Sequence, residues 1–172
     1  MTALLSAGAS LSEQNESGGR SQAAKTVSAD SITAANLLHD KLRRAARLPP
    51  RPLTGDMIRV AFEGAMVPTQ TSLIVVRESN GAWSAEEISS DKGDVPERWT
   101  IRDADAQHLD ALASDPSLIE RSRTAICVDG WDGMIEVSWR GQLKRMSVVC
   151  NVEGPARRML DILEAAEPDE NR

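Results

Sequence analysis

Residues 125–150, AICVDGWDGMIEVSWRGQLKRMSVVC, decide how this chain folds. The second half of the stretch reads as a β-hairpin. A two-residue turn at Arg140-Gly141 sets Ile135 opposite Met146 on one surface and Glu136 opposite Arg145 on the other, so apolar meets apolar and acid meets base. A three-residue loop ending in Gly141 would spare Arg140 a positive φ, but it would set Ile135 against Arg145. The first register is therefore expected, with Trp131, Ile135, Val137, Met146, Val148 and Cys150 on the inner surface.

The glycine-rich break Asp129-Gly130-Trp131-Asp132-Gly133 has two readings. If it is a tight reversal, residues 124–128 and 142–150 flank the middle strand on opposite sides. Cys127 and Cys150 are then two strand spacings of about 4.8 Å apart, too far for a disulfide, whose Cα atoms lie within about 7 Å. If the five residues instead loop out of one strand, Cys127 falls beside Cys150 and a bridge becomes feasible. Counting reactive thiols in unreduced, denatured protein separates the two, because two free thiols exclude the bridge.

Outward from this stretch, alternation and turn chemistry mark further strands. In Met57-Ile58-Arg59-Val60-Ala61-Phe62-Glu63, residues Ile58, Val60 and Phe62 share a face opposite Arg59 and Glu63. Asn80-Gly81 is a strong hairpin signal. As a two-residue turn it pairs Val76 with Ala85 and Glu78 with Trp83, and groups Ile74, Val76, Trp83 and Ala85 on one face. Trp99-Thr100-Ile101-Arg102 reads as a short further strand. A helix is expected from a cap at Asp103 to Ala113, with Ala106, Leu109 and Leu112 inward. Gly154-Pro155 opens a last helix carrying Met159, Ile162, Leu163 and Ala166. The expected fold class is α+β: a largely antiparallel sheet built from two hairpins, with short helices packed on one face.

Four segments organise the chain of 172 residues. Residues 1–30, rich in Ser, Gly, Ala, Gln and Asn, have the composition of a disordered leader. Residues 31–54 hold an amphipathic helix capped by Asp30 or Ser31 and the Pro-rich joint Leu48-Pro49-Pro50-Arg51-Pro52. A single α+β domain follows over 55–167, and 168–172 form an acidic tail. The helix places Ile32, Ala35, Leu38, Leu42 and Ala46 on one stripe and collects Lys41, Arg43, Arg44 and Arg47 near its end. Such a helix either docks weakly on a membrane surface or partner or lies on its own domain.

Composition narrows the function classes. With four Trp, one Phe and no Tyr, the core must be filled by aliphatic residues. Sixteen Arg against four Lys, with abundant Ala, is the composition of a bacterial chain from a GC-rich genome. The net charge of −6 argues against nucleic acid as a partner, since phosphate binding needs clustered cations. No run approaches the roughly 18 apolar residues of a membrane span. Residues 3–9 resemble the end of a signal-peptide core, but no cation precedes Arg20. A cytoplasmic location is therefore expected if Met1 is the true start, and a periplasmic or secreted one if a signal peptide lies upstream.

Chemistry-bearing residues are sparse. Cys127 or Cys150 with His108 and Asp110 is the sole nucleophile, base and acid set suggested by the domain, and an exposed helix is a poor place for its base. Asp129 and Asp132 share a glycine-rich loop but lack the spacing of a calcium-binding loop, so no metal or other cofactor is expected. The sequence is read as a non-catalytic domain that binds a protein or an envelope component, with Asp129, Trp131 and Asp132 and the cations of the 31–48 helix as candidate contacts. It would be either an extracytoplasmic accessory domain closed by Cys127–Cys150 or a cytoplasmic interaction protein of effector or antidote type. A small hydrolase ranks third.

Overall fold

Arg140 and Gly141 both adopt positive φ, 49° and 77°, the signature of the primed two-residue turn whose twist matches that of its strands. The hairpin keeps the expected register, with Ile135 opposite Met146 and Glu136 opposite Arg145. The computed structural model describes residues 27–64, 68–119, 131–149 and 152–168. Along the chain these form α1 (Ala29–Ala45), β1 (Met57–Gly64), β2 (Gln70–Arg77), β3 (Trp83–Ser89), β4 (Glu97–Ile101), α2 (Asp103–Ser114), a 3₁₀ turn (Pro116–Ile119), β5 (Trp131–Trp139), β6 (Gln142–Val149) and α3 (Gly154–Ala165).

The strands make one sheet in the order β4-β3-β2-β1-β5-β6, antiparallel throughout. The fold class is thus α+β, as the alternation and turns imply. The side of β5 opposite β6 is occupied by β1, with Val60 opposite Ile135. That pairing overturns the tight-reversal arrangement, in which residues 124–128 would have stood there. Cys127 and Cys150 lie outside the described residues.

The first face of the sheet carries Ile58, Val60, Val75, Trp83, Ile135 and Val137, which pack under α2 and α3. The 3.6-residue period brings Ala106, Leu109 and Ala113 of α2 and Met159, Leu160 and Leu163 of α3 onto this face. Leu109, Met159 and Leu163 are at most 1% exposed, and each such burial contributes about 1.5–3 kcal/mol. Pro155 sits in the first turn of α3, where its missing donor leaves no bond unmade.

Three local expectations are corrected. The loop between β2 and β3 has three residues, Ser79-Asn80-Gly81, of which only Gly81 has a positive φ, 88°. Glu78 N–H donates to Ala82 O at 2.8 Å, Gly81 N–H donates to Glu78 O at 3.0 Å, and Asn80 Oδ1 accepts from Ala82 N–H at 3.1 Å. With Asn80 not forced to positive φ, the register slips by one: Val75 faces Ala85 and Ile74 faces Glu86. Leu73 and Val75 therefore join Trp83 and Ala85 in the core, and Ile74 turns to the opposite face. Second, α1 begins two residues early, because Ser28 accepts the Ser31 N–H at 3.1 Å and caps it. Third, Arg102 holds the cap position of α2 without a side-chain bond, and Asp103 and Asp105 support that end through the helix dipole instead.

Gly133 leaves no room for a side chain. A Cβ built there would stand 2.3 Å from the Phe62 ring and 2.5 Å from the backbone oxygen of Ala61, on the neighbouring strand β1. Gly133→Ala is expected to destabilise the protein by about 1–3 kcal/mol, read from the urea midpoint. An unchanged midpoint would mean that β1 and β5 separate without cost at this point.

Candidate functional site

The second face of the sheet is charged, and that follows from register. One line of opposed residues crosses all six strands: Arg145 on β6, Glu136 on β5, Arg59 on β1, Ile74 on β2, Glu86 on β3 and Arg98 on β4. Alternation puts every one of these on the face turned away from α2 and α3. Helix α1 lies over the middle of this line. Its apolar contact is small, joining Ala35, Ile32 and Leu38 to Ala61 and Met134.

Most of the remaining contact is ionic. Glu136, 1% exposed, accepts from Arg59 Nε at 3.0 Å and from Arg145 Nε at 2.8 Å, and also from Arg59 Nη2. Arg59 Nη2 donates in addition to Asn36 Oδ1 of α1 at 2.7 Å. Farther along, Arg43 reaches down from α1 to Glu86 and donates to Pro49 O at 2.6 Å. Arg98 Nε closes the other side of Glu86 at 2.8 Å. Burial alone would raise both carboxyls. The hydrogen bonds from Arg145 and Arg59 outweigh it for Glu136, and those from Arg43 and Arg98 for Glu86, holding both below the usual carboxylate range.

Between these clusters sits His39, 3% exposed. Its Nδ1 shares a hydrogen bond with Ser72 Oγ of β2 at 2.6 Å. Burial foremost, and then the cations Arg59 and Arg43 against the opposing carboxylate of Glu136, lower its pKa to about 4. The imidazole is thus neutral in the folded protein near pH 7. His39 and Ser72 are a base and a hydroxyl in contact, yet both are sealed beneath α1, so the pair locks helix to sheet.

Beyond the end of α1 the second face opens into a shallow trough of about 270 Å³ over β3 and β4. Ser84 and Thr100, opposed across the two strands, share its floor with Glu86 and Arg98, and Arg51 of the Pro-rich joint forms its rim. Arg51 is half-buried and makes no hydrogen bond or ion pair with the described residues. Arg98 leaves 59% of its side chain exposed even while paired with Glu86. Counting Arg43 behind them, this corner carries three guanidinium groups against two carboxylates, Glu86 and the Glu78 that accepts from Ser84 Oγ.

The residues singled out by sequence are placed as follows. Arg43, a candidate contact at the end of its helix, is buried on Glu86. Lys41 is exposed and donates to Gln70 Oε1 at 2.6 Å. Arg44 is exposed and bonds within its own helix, and Arg47 follows the helix with φ 58°. Asp132 is exposed at the start of β5; Asp129 and the side chain of Trp131 lie outside the described residues. His108 is exposed on α2, whereas Asp110 binds Arg77 through two hydrogen bonds and accepts from Trp83 Nε1 at 3.1 Å. Among the described residues no three His, Cys, Asp or Glu side chains gather as metal ligands. Nor is any helix among them long and apolar enough to cross a membrane.

Alternation alone assigns Arg59, Glu86 and Glu136 to a solvated face. The signal that this face is covered is the apolar company they keep there, Ala61, Ile74 and Met134. No family model matches the chain, and neither a curated protein nor a solved structure matches it.

Proposed function

We propose that this chain is a small protein-binding domain whose partner seats on the outer edge of β4 and the trough beside it. The observation that supports this reading is the pairing of an open strand edge with partly exposed guanidinium groups beside it. Among the described residues no strand lies on the outer side of β4, so one row of its backbone donors and acceptors is free. Beside that edge stand Arg98, Thr100 and Arg51. Binding is favoured over reaction because the imidazole and hydroxyl in contact, His39 and Ser72, are closed off beneath α1.

A photo-activated cross-linking residue placed at Thr100 of the full chain, in cells of the source organism, tests this. A matched chain carries it at Asp161, exposed on α3. The expected result is a covalent adduct of defined mass from position 100 and none from 161. No adduct at 100, or the same adducts from both, would overturn the proposal.

A further inference from the structure

The two faces beside the β4 edge carry opposite charge, and this restricts what can be added there. On the second face the guanidinium groups of Arg43, Arg51 and Arg98 outnumber the carboxylates of Glu86 and of Glu78, which accepts from Ser84 Oγ. On the first face Lys92 is surrounded by three carboxylates, Glu97 at 2.9 Å, Glu167 at 2.7 Å and Glu87 at 3.8 Å. Burial and the neighbouring Glu167 raise the Glu87 carboxyl above its ordinary range, the mark of a crowded acidic corner. Formal charge beside the edge is thus +1 on one face and −2 on the other.

An added strand places successive side chains on alternate faces. We infer that the β4 edge takes an extended peptide segment with carboxylates at every second residue, directed toward Arg98 and Arg51, and with uncharged residues between them. A second copy of β4 does not satisfy this pattern. Full antiparallel overlap of two copies of β4 sets Arg98 against Thr100 and Glu97 against Ile101, so the second copy offers no carboxylate to Arg98 or Arg51. A uniformly acidic strand is also excluded, because half its carboxylates would fall beside Glu87, Glu97 and Glu167. The opposite charge of the two faces therefore selects an alternating acidic partner over a second copy of β4. This inference rests on the protein-binding reading and gives it a sequence rule.

The test uses the full chain and a dye-labelled seven-residue peptide alternating Glu with Thr or Val, followed by fluorescence anisotropy. Binding is expected at low salt and weakens as salt rises. It falls about tenfold in Arg51→Gln, the loss of one charge-assisted contact; Arg51 makes no hydrogen bond or ion pair with the described residues, and an unchanged circular dichroism spectrum checks that the variant is folded. Three peptides are expected to fail: one with Lys for Glu, one with the Glu residues consecutive, and one of two copies N-methylated at alternate residues, which cannot donate to the edge. Equal binding of the Lys or the consecutive-Glu peptide, unchanged affinity in Arg51→Gln, indifference to both N-methylations, or complete displacement by inorganic phosphate alone would overturn the inference. Capture at Thr100 without peptide binding removes the acidic-strand rule and leaves the protein-binding reading standing. Peptide binding without cellular capture overturns the protein-binding reading, and the inference that rests on it falls with it.

Discussion

Glu136→Ala is expected to lower the stability of the protein by about 3–5 kcal/mol, the range for a buried ion pair broken from one side. Glu136 is 1% exposed and takes hydrogen bonds from both Arg59 and Arg145. Its removal leaves Arg59, itself 6% exposed, with Asn36 as its remaining partner. Arg145, with a third of its side chain exposed, can turn to water, so the penalty falls mainly on Arg59. Small domains have only about 5–15 kcal/mol in total, and the alanine variant can fail to fold at 37 °C. Glu136→Gln, which keeps shape and an acceptor but not the charge, then supplies the measurable intermediate. The double replacement Arg59→Met with Glu136→Leu removes both charges together and is expected to recover most of the loss. Urea unfolding followed by circular dichroism gives all three values. If the double variant is as unstable as Glu136→Ala, the loss comes from shape and not from an unpaired charge.

What was legible in the sequence was whatever depends on neighbours along the chain or across one short turn. The pairing of Glu136 with Arg145 could be read because Arg140-Gly141 sets it, and Gly141 with a positive-φ partner leaves little choice. The inward face of β1 could be read from alternation in the same way. Asn80-Gly81 misled because the pair suits both a two-residue and a three-residue loop, and only the side-chain bond from Asn80 to Ala82 shows which forms. The charged layer was hidden for another reason. His39 meets Ser72 and Arg43 meets Glu86 across 33 and 43 residues of chain, and an amphipathic helix with cations at its end reads equally well as solvated. The placement of β5 beside β1, on which the line of charges depends, is likewise a matter of topology. The trough follows last, since it requires knowing that α1 stops short of β4.

Acidification is expected to unfasten this layer through His39. Its pKa falls from an ordinary 6.5 to about 4 on folding, so between those values the unfolded chain binds more protons than the folded one. Stability therefore rises with pH across that window and is lost as pH drops from 6.5 toward 4. The difference corresponds to about 3 kcal/mol over the whole interval. Geometry explains why the imidazolium is unwelcome: Arg43 and Arg59 lie nearby, and the carboxylates that could answer it, Glu86 and Glu136, already each bind two guanidinium groups. Glu86 and Glu136 themselves have lowered pKa values, so their contribution is present above the ordinary 4.5 and fades only below it. Glu87, whose pKa is raised, works in the opposite direction, since its protonation favours the folded state. His39→Gln isolates the histidine from both, because it retains a partner for Ser72 but cannot gain a proton. In urea titrations between pH 6.5 and 5 the native protein should lose stability steadily while His39→Gln stays level apart from the shared carboxylate terms. Parallel slopes for the two proteins would show that His39 does not sense pH, and that the cations around it leave room for its charge.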